Sequence, residues 1–152
     1  TPRSWERVST MIKILPDDQA LLKNAVYGLV GNRAGIEFMA FYKTTKSLEI
    51  KEMMINPDYE IIIPEKADLR YALWSGVAYY LWEGSSEEET NLLLDGFFRI
   101  SLALGSDFAA MLMMDAVKRG NHCSGATKIY KHPLFKDWTA KHGNTFGKVA
   151  KL

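Results

Sequence analysis

Thr1-Pro2-Arg3-Ser4-Trp5-Glu6 opens the chain, and Trp5 is followed by Val8, Met11, Ile12 and Leu15 at steps of three and four residues. That spacing puts the five apolar groups on one face of a helix over roughly residues 4–15. Thr1 or Ser4 offers a hydroxyl to cap it, and Pro2 suits a first-turn position where a missing N–H costs nothing. Pro16 followed by Asp17 stops it. Arg3 therefore stands on a first turn, where free backbone N–H groups and the helix dipole favour an anion and a guanidinium adds a bidentate fork. A chain that starts at a helix cap with no methionine before it is expected to be a piece of something longer.

The same reading extends outward. Asp17 or Asp18 caps a second helix with Leu21, Leu22, Ala25, Val26, Leu29 and Val30 on its inner face, and Gly31-Asn32 ends it. A third helix carries Ile36, Phe38, Met39, Phe41 and Tyr42, dense enough in large apolar groups to touch partners on more than one side. Helices two and three are expected to form a hairpin. A short helix is expected within Leu48–Ile55, ended by Asn56-Pro57. Tyr59-Glu60-Ile61-Ile62-Ile63-Pro64 has strand-like residues but no partner run, so it reads as an extended loop tucking isoleucines onto the core.

Further along, helices are expected over Ala67–Glu83 and Glu87–Leu104, with Ser86 and Glu89 as a capping box for the second of these. Another follows over Phe108–Arg119, capped by Asp107, and a short one over Pro133–Lys141 in a glycine- and lysine-bearing tail. The expected fold is all-α: a compact helical domain of about six to eight helices with one short extended loop segment. It is read as a single unit over residues 1–152, with a looser tail from about 120.

Bulk properties narrow the function classes. The 152 residues suffice for a core without staples, and the single cysteine, Cys123, excludes an internal disulfide. A formal net charge of +1 offers no broad attraction to nucleic acid or to an anionic membrane. No apolar run reaches the roughly 18 residues that span a bilayer, and a cytoplasmic location is the expectation.

Several constellations imitate sites. Ala109-Ala110-Met111-Leu112-Met113-Met114-Asp115 looks like an apolar strand ending in a metal-binding aspartate. However, alanine follows Asp115, and no glycine-rich loop ending in Lys-Ser or Lys-Thr precedes it. Its methionines read as gap-filling core or interface residues. His122, Cys123, His132 and His142 have the chemistry of zinc ligands but not the spacing of a finger or ribbon, so no metal is expected. Adjacent His122 and Cys123 are not expected to form a nucleophile–base pair, since neighbouring side chains seldom face each other. Tyr79, Tyr80 and Trp82 lack the basic stripe of a base-stacking platform, and the third helix is too apolar to read a major groove.

The opening Thr1-Pro2-Arg3 triplet resembles the sensor 2 motif of AAA+ ATPases of the MoxR-like group, where a Ser/Thr-Pro-Arg triplet begins the helix leading into the helical lid. Gly28-Leu29-Val30-Gly31 with Glu37-Phe38-Met39-Ala40-Phe41 resembles the following lid segment, and Ile55-Asn56-Pro57 with Ile63-Pro64-Glu65 the loop after it. Tyr71-Ala72-Leu73 and Phe108–Arg119 resemble the C-terminal helices.

The resemblance implies a C-terminal lid in which Arg3 approaches the γ-phosphate of ATP bound with Mg²⁺ by a preceding domain. The parent would then be a ring-forming homo-oligomer that remodels a client protein in a chaperone-like way. Walker A, Walker B, sensor 1 and an arginine finger are absent here, so this chain alone is not expected to hydrolyse ATP. The competing expectation is a free-standing helical protein–protein interaction module without nucleotide chemistry.

Overall fold

The computed structural model describes residues 1–46, 48–123 and 125–151. The fold is all-helical, with no strand among the described residues. In order, its α-helices are α1 (Pro2–Ile14), α2 (Gln19–Val30), α3 (Asn32–Lys46), α4 (Ile50–Ile55), α5 (Ala67–Tyr80), α6 (Glu87–Ala103) and α7 (Ser106–Gly120). A single 3₁₀ turn, Asn121–Cys123, then leads to α8 (Ala126–Lys131) and α9 (Phe135–Val149). The nine α-helices among the described residues exceed the six to eight expected, and α8 is the one no sequence pattern announced. The helices gather into two compact units, Thr1–Ser47 and Leu48–Leu152.

The first unit is a three-helix arrangement. Val8, Leu22 and Val26 form its buried centre, with Met11, Ile12, Leu15, Phe38, Met39 and Tyr42 packed around them. Asp18 caps α2 by accepting from Leu21 N at 2.9 Å. Gly31, at φ +85°, turns the chain so that α3 begins one residue after α2 ends, a backbone conformation that a side chain would strain. Lys46 Nζ donates to Pro16 O at 2.9 Å and ties the end of α3 to the α1–α2 turn.

Two expectations fail in this unit. Leu21, placed on the inner face of α2, is 50% exposed, because Leu22 and Val26 at i and i+4 define the buried line and Leu21 falls on its flank. Ile36 and Phe41 of α3 also face outward, since within this unit α3 packs through Phe38, Met39 and Tyr42.

The second unit is built on α6, whose residues Leu93, Leu94, Gly96, Phe97, Phe98, Ile100 and Ser101 are all buried. The backbone of α4 presses directly on Gly96, where a methyl group would collide with Met54 backbone atoms. One turn on, the Arg99 guanidinium donates to Met53 O, Met54 O, Asn56 O and Pro57 O at 3.0–3.2 Å. Met53 O and Met54 O are among the carbonyls that the end of a helix leaves without intrahelical donors, and Asn56 O and Pro57 O follow just beyond it. Beyond them the chain runs extended as expected, with Ile61 and Ile63 packed on the core and Ile62 exposed.

Ser86 caps α6 by accepting from Glu89 N at 3.1 Å. The returning glutamate differs from the expected box by one residue: its carboxylate accepts from Ser85 N at 2.8 Å and from Ser85 Oγ at 2.6 Å. Lys51 Nζ adds an ion pair at 2.9 Å. Together the Ser85 hydroxyl, the Ser85 backbone N–H and the Lys51 ammonium lower the Glu89 carboxyl from its ordinary value to about 2.

Asp107, expected to cap α7, lies inside its first turn instead, and Gly105 holds the cap position. The reason is tertiary: Ser106 Oγ is engaged by His142 Nδ1 at 2.9 Å, which draws Ser106 into the helix. The helix expected over Pro133–Lys141 runs from Phe135 to Val149, through Gly143 and Gly147. Its length comes from packing: Trp138 and His142 are buried, Phe146 meets the Trp138 ring edge-on at 5.6 Å, and Trp138 Nε1 donates to Ser101 Oγ at 2.6 Å. Burial of such a face outweighs the helix cost of about 1 kcal/mol for each glycine.

Gly96→Ala is expected to destabilise the chain by about 3 kcal/mol, as overpacking against a backbone does, measured by urea unfolding. Because the Glu89 carboxyl is lowered in the folded chain, its contribution is present above an unfolded value near 4.5 and is lost as pH falls toward about 2. The difference in melting temperature between the native chain and Glu89→Gln should be present at pH 6 and shrink steadily below pH ~4.5.

Candidate functional site

Arg3 is the second residue of α1. Thr1 forms the cap with its Oγ accepting from Ser4 N at 3.2 Å, while Ser4 N also reaches Thr1 O at 3.0 Å. Pro2 has no N–H to leave unpaired, and no acidic residue lies in the first turn. The Arg3 side chain is exposed and has no hydrogen-bond or ion-pair partner among the described residues.

Arg7, which sequence reasoning passed over, lies four residues on, is exposed and is likewise without a partner among the described residues. Two guanidiniums one turn apart beside the positive end of a helix repel each other and the dipole by a few tenths of a kcal/mol. An anion bound there would remove both penalties. The first turn is held rigid by Trp5, whose ring packs on Phe38 of α3 at 5.3 Å.

The other sequence candidates are dispersed. Asp115 sits mid-helix on α7 and accepts from Arg119 Nε at 3.0 Å, an i,i+4 pair and not a metal ligand on a strand. His132 Nε2 pairs with Asp95 Oδ1 at 2.9 Å while its Nδ1 accepts from Leu134 N at 3.2 Å, and its ring stacks on Phe98 at 4.4 Å. That arrangement fixes the α8–α9 connection onto α6. His122 is exposed, and the side chain of Cys123 lies outside the described residues. No group of three metal-ligating side chains converges among the described residues.

His142 and Ser106, 36 positions apart, form a hydroxyl–imidazole pair that the sequence could not announce. The histidine is 1% exposed, its Nε2 has no partner among the described residues and no carboxylate orients it. A nucleophile needs both an oriented base and access to substrate, so this pair is a packing contact and not a catalytic dyad.

Comparison of the chain with protein-family models, with curated proteins and with solved structures gives no match. The resemblance to an AAA+ lid therefore rests on the residues quoted for it alone. Among the described residues no helix is long and apolar enough to cross a membrane.

Burial lowers the affinity of His142 for a proton, reinforced by the Lys141 charge. Its contribution to stability is thus complete above the unfolded value near 6.5 and falls away as pH drops below it. In chemical denaturation from pH 8 to pH 5, the native chain should lose stability more steeply than His142→Gln.

Proposed function

We propose that the chain is the C-terminal helical lid of a MoxR-like AAA+ ATPase, with Arg3 as the side chain that senses the γ-phosphate. The observation that carries this reading is the Arg3 guanidinium, unpaired among the described residues, on a first turn capped by Thr1 and free of acidic residues. Its donor set fits a phosphate: a planar fork on a rigid helix, beside a dipole end of the same sign and with Arg7 one turn away. The compact three-helix unit over Thr1–Ser47 is the body that such a sensor would move.

In this reading ATP and Mg²⁺ belong to a preceding domain that carries Walker A, Walker B and sensor 1. This chain's part is to place one positive fork against charge that develops on the transferring phosphoryl group. Nucleotide state then biases the position of the lid, because only the triphosphate offers Arg3 its partner, and a client protein is remodelled by the resulting motion in a ring-shaped homo-oligomer.

The test joins the chain to its ATP-binding domain and compares turnover with Arg3→Ala. Loss of a preorganised donor to a transferring phosphoryl group costs roughly 10²-fold in kcat. Arg3→Lys should recover only part of that loss, since an ammonium is a point charge without the fork. Unchanged turnover in Arg3→Ala would exclude Arg3 as the sensor.

A further inference from the structure

The second unit carries a groove that the nucleotide reading does not use. It is a cavity of about 460 Å³, open to solvent, between α5 and α7, with Val149 of α9 at its margin. Tyr71 and Trp74 line it from α5, Met111 and Met114 from α7. Tyr71 is 56% exposed, Met111 40% and Met114 37%, so a set of large apolar side chains stands in solvent on one face. Tyr71 and Trp74 hold each other edge-to-face at 4.7 Å, which fixes the α5 wall. The facing wall is soft, since methionine adapts its three rotatable bonds to varied surfaces.

The charges beside this apolar strip have one predominant sign. Asp115 is occupied by Arg119 Nε at 3.0 Å, while the terminal nitrogens of Arg119 and the ammonium of Lys118 have no partner among the described residues. Two cations against one carboxylate leave the lining positive. Near Val149 in sequence, Lys148 and Lys151 are exposed, and no acidic residue occurs between Trp138 and Lys151.

We propose that this groove docks an amphipathic helix of a partner protein that presents apolar side chains inward and a carboxylate on its flank. Each wall offers residues three apart, Tyr71 with Trp74 and Met111 with Met114, a spacing of about 5–6 Å along a helix. Anchors at i, i+3, i+4 and i+7 of an incoming helix match that repeat, and aromatic and methionine side chains are the ones enriched at the centre of such contacts. The basic lining selects among apolar helices by charge and speeds their encounter. The inference stands whether or not Arg3 senses nucleotide.

The test uses the full chain and three fluorescein-labelled peptides: an amphipathic helix with Leu at i, i+3, i+4 and i+7 and Glu on its flank, the same peptide with Lys for each Glu, and a scrambled version of the first. Fluorescence anisotropy should show the acidic helix binding at least roughly tenfold more tightly than either control. Tyr71→Ala should weaken it by a similar factor, with the circular dichroism spectrum and melting temperature unchanged, since Tyr71 is more than half exposed. Lys118→Glu should weaken the acidic peptide and improve the lysine one, a reversal that a merely greasy surface cannot give.

Equal binding of all three peptides, no binding of any, or indifference to Lys118→Glu would overturn the proposal. So would sedimentation showing a dimer that Tyr71→Ala dissociates, which would assign the groove to a second copy of this chain.

Discussion

The close approach of α4 to α6 governs the second unit. Gly96 lets one backbone lie against the other, and Arg99, one turn further along α6, gathers four carbonyls at and just beyond the end of α4, of which the part-buried Met53 O and Met54 O lie in the last turn of the helix. A hydrogen bond involving a charged group contributes about 1.5–3 kcal/mol, and leaving a buried acceptor unmet costs a comparable amount. With α4 seated, Ile50, Met53 and Met54 complete the core around Leu93, Leu94, Phe97 and Phe98. The extended segment then leaves in the direction that brings Ile61 and Ile63 back onto it, where Arg70 holds Pro64 O at 2.8 Å.

From α6 outward, order is kept by single polar contacts set into apolar surroundings. Trp138 Nε1 to Ser101 Oγ, Ser106 Oγ to His142 Nδ1 and Trp82 Nε1 to Ala116 O each fix where one helix meets the next. Apolar packing is non-directional and tolerates sliding, whereas a buried donor with one acceptor within reach does not. Trp82 also explains why α5 ends at Tyr80: its indole must reach the α7 carbonyl, and Gly120 and Gly125 pack so tightly on its ring that any side chain there would meet it.

The two functional readings draw on opposite kinds of surface. Around Arg3 the interest lies in a guanidinium without a partner among the described residues on a capped first turn, a local feature within one helix. At the groove it lies in apolar area kept in solvent by the packing of two helices. In α7, Leu112, Met113 and Ala116 are fully buried while Met111 and Met114 face out, so one methionine-rich run both fills the core and forms the groove wall.

What the sequence by itself determined is set by contacts within a few residues: the all-helical class, the Ser86 cap, a cap at Thr1 or Ser4 and at Asp17 or Asp18, the Gly31 turn, the end of α4 near Asn56-Pro57, and Arg3 on a first turn. Such features depend on local periodicity, hydrogen bonds to the next turn and φ preference, which any reader of the chain can evaluate. Tertiary structure alone decided that Leu21, Ile36 and Phe41 face outward, that Ser106 belongs to α7, that α9 runs on to Val149 and that Arg99 clamps α4 across more than 40 positions. It also decided that Tyr71, Trp74, Met111 and Met114 share a wall. Those outcomes turn on which of several apolar faces finds a neighbour, and on donors meeting acceptors far away in sequence, for which no short pattern carries a signal.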